Sequence, residues 1–189
     1  MATDVRALYH RAMDAFGDYV HAVRDDQWGA PTPCPDWDAR ALVNHVVGEN
    51  RWAVPLFAGG TIADVGDRFD GDLLSSDPVA AWDDSAAGAI AAVDDPGAME
   101  RTVHLSFGDF PGREYAMQLL ADLVVHGWDL ARATGQDETI DPEEIEPLQA
   151  MVDSMGPMML ENGVIKRQLE PAPDASPQER LLAGLGRQA

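Results

Sequence analysis

The stretch ADLVVHGWDLARATG, Ala121 to Gly135, has the apolar content of a buried helix yet holds Asp122, His126 and Asp129. On a helix of about 100° per residue, positions four apart share nearly one stripe, so Asp122 and His126 can reach a common point. That spacing suits two kinds of chemistry. The carboxylate and imidazole can form a hydrogen-bonded pair, or both can ligate a divalent cation whose charge offsets the cost of taking a carboxylate out of water. A third donor lies upstream in NHVVGEN, where His45 borders the apolar face of its own helix and Glu49 follows four residues later on nearly the same stripe. Two histidines and one aspartate leave coordination positions open, as catalytic zinc, nickel or iron centres do, whereas closed structural sites use four ligands, often thiolates. The ligand set does not choose the metal. Spacing alone favours the plainer reading, an interhelical hydrogen-bond pair with His45 a half-buried histidine. Asp129 fits better as a support behind His126, or as a capping acid, than as a fourth ligand.

These residues need helices to hold them. From Asp4 to about Arg24, Val5, Leu8, Ala12, Phe16, Tyr19 and Val23 recur at three- and four-residue steps, predicting a first amphipathic helix. WGAPTPCPDW then sets three prolines in five positions, a rigid connector that cannot continue a helix. Asp38 is the expected N-cap of a second helix running to about Ala58, with Pro55 in its last turn. The acidic, glycine-rich segment Gly59 to Asp77 reads as a long functional or mobile loop. Pro78, behind Asp77, opens a third helix to about Val93. RTVHLSFGDFPG alternates like a short extended segment or hairpin, and Glu114 to Thr134 forms the fourth helix, closed by Gly135. A fifth is expected from Pro142 to about Asn162, interrupted or bent at Gly156 and Pro157, with Met151, Met155, Met158 and Met159 as core filler. In SPQERLLAGLG, Ser176, Pro177 and Glu179 make a capping box for a short last helix. The expected division is a helical bundle over residues 1–165 and a tail over 166–189 whose short helix packs on it.

The remaining candidates are weaker. His10 and His21 read as surface or boundary residues of the first helix, and Cys34, in the proline-rich connector with no base beside it, as packing. His104 is less bland, since the extended segment can lead into the mouth of the bundle. Composition narrows the partners. The 189 residues carry 33 acids against 13 bases, a formal charge of −20, which argues against nucleic acid and anionic membranes. No apolar run approaches the ~18 residues of a bilayer span. One cysteine excludes an intrachain disulfide and fits a reducing compartment, so a cytoplasmic location is the expectation.

PTPCPDWDARALVNHVVGENRW, ADLVVHGWDLARATG and the closing PAPDASPQERLLAGLGR, in that order, resemble the metal-binding family related to the N-terminal domain of mycothiol-dependent maleylpyruvate isomerase, within the DinB-like superfamily. The resemblance covers nearly the whole chain. It implies an all-α fold, a DinB-like four-helix bundle with extra C-terminal helices, whose metal is held by a histidine of the second helix and an acid-x-x-x-histidine pair of a later one. Those positions fall on His45, Asp122 and His126. With the resemblance added, metal ligation overtakes the plain hydrogen-bond reading. The isomerase has glutamate where this chain has Asp122, and carries a further domain where this chain has a short tail. The resemblance implies a divalent metal, zinc first with nickel or iron as alternatives, and a low-molecular-weight thiol activated on it. The expected function is therefore a metal-dependent transferase or isomerase acting with a small thiol and an electrophile, Glu49, Asp129 and His104 being candidates for tuning the nucleophile. A noncatalytic metal-binding or dimerising bundle, including a homodimer, is the alternative.

Overall fold

A computed structural model of the chain describes residues 4–163 and 165–189. Helix α1 (Val5–Ala22) is capped by Asp4, α2 (Ala39–Phe57) by Asp38 and α4 (Pro78–Asp94) by Asp77, each aspartate accepting from the backbone N–H three residues on. Between α2 and α4 lies a single turn, α3 (Ile62–Val65), where the sequence predicted only loop. It forms because Thr61 and Asp64 cap each other reciprocally, a signature hidden in an acidic stretch with little apolar periodicity. The rest of that loop is pinned to α2: the Asn44 amide donates to the Gly71 carbonyl at 3.0 Å and accepts from the Leu73 N–H at 2.8 Å.

The predicted extended segment is an antiparallel hairpin, β1 (Thr102–Leu105) with β2 (Gly108–Pro111), which leads into α5 (Gly112–Thr134). Helix α5 begins two residues before the predicted Glu114. Gly112 permits that start: a side chain there would collide with the Ala98 carbonyl oxygen, while its own N–H bonds the Arg101 carbonyl at 2.8 Å. At the other end Gly135 takes the left-handed conformation, φ 71°.

Among the described residues, α2 packs against α4 and α5, and α1 against α5 and α4. The four long helices therefore form a ring in the order α1–α4–α2–α5, the four-helix bundle expected. Its core is apolar and fully enclosed: Tyr9, Phe16 and Val20 of α1, Leu42 and Phe57 of α2, Trp82 and Val93 of α4, Leu120 and Trp128 of α5. Burying a side chain of this size contributes about 1.5–3 kcal/mol. These elements belong to one compact unit, Asp4–Asp137.

The described residues of Glu138–Ala189 form a second unit. In it α6 (Pro142–Glu161) packs with α7 (Pro177–Gly184), whose capping box of Ser176 and Glu179 forms as predicted. Helix α6 continues through Pro147, Gly156 and Pro157 rather than being interrupted there, and each proline leaves one helix carbonyl without its usual N–H donor.

Candidate metal centre

The α2 and α5 helices are neighbours in the ring, which brings together side chains 77 positions apart. His45 Nε2 lies 3.1 Å from Asp122 Oδ2, and His126 Nε2 lies 3.3 Å from Asp122 Oδ1. Each oxygen of one carboxylate thus meets one imidazole. One donor atom from each of the three residues can be chosen so that all lie within 4.8 Å of one another. His45 and Asp122 are 27% and 28% exposed at their side chains against 8% for His126, so the cluster opens towards solvent on its His45–Asp122 side.

The set fits a small divalent cation. Donors held about 2.1 Å from a tetrahedral zinc stand roughly 3.4 Å apart, close to what each imidazole keeps from the carboxylate oxygen it faces, the two facing different oxygens. The rings of His45 and His126 meet edge to face, centroids 5.2 Å apart. Behind them, His126 Nδ1 is 3.0 Å from Oδ2 of the fully buried Asp129, which commits that nitrogen and leaves Nε2 for Asp122 or an ion. Of the two roles the sequence left to Asp129, a support behind His126 or a capping acid, this contact matches the first.

The electrostatics follow from the packing. Burial works against charge on His126, but Asp122 and Asp129 outweigh it and raise its pKa to about 9. Burial likewise opposes charge on Asp122, and the His126 charge with hydrogen bonds from both imidazoles overrides it, holding the carboxyl well below its ordinary range. Glu49, one turn beyond His45 and half-buried, goes the other way: burial first, then the Asp122 charge, push it up to about 7 against the opposing pull of both histidines.

The other predicted candidates do not join this cluster. His104 Nδ1 sits 2.8 Å from Asp109 across the hairpin. His10 pairs with Asp94 at 2.9 Å and His21 with Asp83 at 2.8 Å, partly exposed ties between α1 and α4. Two aromatic residues near the centre were missed. Trp37, from the connector, packs on both imidazoles at 4.6 and 5.3 Å between centroids. A large aromatic amid polar and proline residues, needing a surface to cover, was the available signal. Tyr115 is buried on α5, and burial, then the charges of Glu49, Tyr9 and Asp122, keep its hydroxyl protonated.

A ring of four helices with a His–Asp–His cluster between two neighbours defines a four-helix bundle with a candidate metal site. Residues 9–131 match the family described as mycothiol maleylpyruvate isomerase N-terminal domain, and the chain belongs to that family. Two proteins of Mycobacterium tuberculosis, both named as uncharacterized, are 37% identical to it over 190 residues, spanning 97% of this chain and 98% of their own. Among solved structures, mycothiol-dependent maleylpyruvate isomerase superposes with a TM-score of 0.60 at 16% identity, over 81% of this chain and 71% of that one. A histidine-to-alanine variant of the same enzyme gives 0.61 at 15% identity, over 79% and 68%. At such identity the likeness establishes the shared fold.

Proposed function

We propose that this chain is a divalent-metal-dependent transferase or isomerase that uses a small thiol of the mycothiol type, with the ion held by His45, Asp122 and His126. The observation that carries the reading is the convergence of both Nε2 atoms on one half-buried carboxylate, with Asp129 fixing the ring behind. Membership of a family named for a mycothiol-dependent isomerase supports the choice of thiol. Zinc is the first choice of metal; nickel and iron also suit imidazole and carboxylate.

When bound, the ion supplies a positive charge that lowers the pKa of a coordinated thiol. The chain's own groups do the rest. His126 and His45 must be neutral to donate, and Asp129 holds His126 in the tautomer that presents Nε2. Glu49, half-buried one turn beyond His45 and close enough to feel the charges of all three ligands, is the carboxyl placed to take the thiol proton onto an Oε atom and return it to product. The single cysteine, Cys34, accords with a reducing, cytoplasmic setting.

The test is to incubate zinc-loaded protein with mycothiol, or another small thiol, and a panel of electrophiles. Thiol should be consumed by the native chain and not by His45→Ala. Equal rates in the two, or none in either, would leave the bundle a metal-binding or dimerising module.

A further inference from the structure

The proline-rich connector before α2 is a motif that the metal centre leaves without a role. Its backbone closes on itself and on the start of the helix. Trp37 N–H donates to the Cys34 carbonyl at 3.0 Å, and the Thr32 hydroxyl donates to the Trp37 carbonyl at 2.8 Å. Pro31 and Asp38 form a bridge, and the Ala39 and Arg40 N–H groups bond the Ala30 and Trp28 carbonyls at 2.9 Å each. None of these bonds uses the indole, which is spent on the two histidines.

Those histidines are held differently. His126 is fixed from behind by Asp129 through Nδ1. His45 is tied through Nε2 to Asp122, on the side that would face an ion. Against the flat of its ring lies Trp37, 4.6 Å between centroids at 31°. The outer torsion of a histidine is broad and soft, so what packs on the ring helps to set its plane. A tilted aromatic neighbour at this range supplies an orienting attraction.

We infer that Trp37, carried by the closed Thr32–Trp37 turn, packed on His45 and tilted against His126, is the positioning residue for His45 in the metal centre, the counterpart of Asp129 for His126. The inference rests on the metal reading above. It gives the connector a function: its prolines and Thr32 hold an aromatic wall rigid against the ligand rings, closing that side of the centre and leaving incoming ligands the other.

Metal binding by the native chain tests it. In competition with a chromophoric chelator, Trp37→Ala should bind zinc roughly 10-fold more weakly, at the low end of what outer support of a ligand is worth. Trp37→Phe keeps an aromatic face and should recover to within about 3-fold. In a nickel titration followed by tryptophan emission, the native chain should be quenched and Trp37→Phe should lose most of that quenching, although the other four tryptophans remain. Rescue of affinity by Trp37→Phe ties the loss in Trp37→Ala to the aromatic face, and the lost quenching places the ion beside Trp37. Native zinc affinity in Trp37→Ala, or unchanged quenching in Trp37→Phe, overturns the assignment. A native chain that takes up neither ion overturns the metal centre itself, and Trp37's role with it.

Discussion

Asp129 Oδ2 lies 3.0 Å from His126 Nδ1, and Asp129 is fully buried on the same helix, three residues on. A carboxylate so placed acts on the centre through the ring, whose opposite nitrogen faces Asp122. Asp129→Asn, which keeps an acceptor but loses the charge, should weaken zinc binding by about 10-fold, and Asp129→Ala by up to about 100-fold. Chelator competition measures both. Equal affinity in all three proteins would remove Asp129 from the site.

The metal-free chain should lose stability as pH rises. His126 has its pKa raised to about 9 from 6.5, so its contribution is whole below about 6.5 and is lost as pH climbs through 9. Asp122 is depressed, so its contribution is present above the ordinary carboxylate range and lost only in strong acid. The urea midpoint of chelator-treated protein should therefore be higher near pH 6 than near pH 9.5, and the difference should shrink in His126→Ala. Zinc works against the same proton, so its apparent affinity should rise with pH up to about 9, a trend that titration at several pH values would reveal or exclude.

Glu49 stands apart from the ligands in what its loss should do. Glu49→Gln removes the carboxyl but keeps its shape, so zinc content should stay native while the rate of thiol consumption falls about 10²-fold or more. Loss of zinc in this variant, or an undiminished rate, would contradict the role.

Much of this architecture is legible in the sequence because capping is local. Asp38, Asp77, Ser176 with Glu179, and Gly135 each declare a helix end within four residues, and each end forms where it was expected. The short α3 was not expected, because its Thr61–Asp64 cap is unaccompanied by an apolar stripe. Within the site, the Asp122–His126 pair is written as a four-residue spacing. The approach of His45 to Asp122 is a tertiary fact; its place on the apolar border of its helix made His45 a candidate, and the family resemblance decided for it. Trp37 was out of reach for the same reason, lying 89 positions from His126 and outside any helix whose period could place it. The surplus of acids gave its signal only as exclusion.

Gly112 is where the hairpin hands over to α5, and with it the register of Asp122 and His126. Gly112→Ala would drive a methyl group into the Ala98 carbonyl and should cost about 1–3 kcal/mol, or more if the backbone cannot yield. Thermal unfolding measures the loss. A variant as stable as the native chain would mean that the start of α5 is free to shift.

The central claim is that His45, Asp122 and His126 together hold one divalent ion, and elemental analysis after equilibrium dialysis against zinc tests it most directly. The native chain should retain about one zinc per molecule, with His45→Ala, Asp122→Ala and His126→Ala each retaining little while still folding to a helical protein. Equal zinc in the native chain and His126→Ala would contradict it.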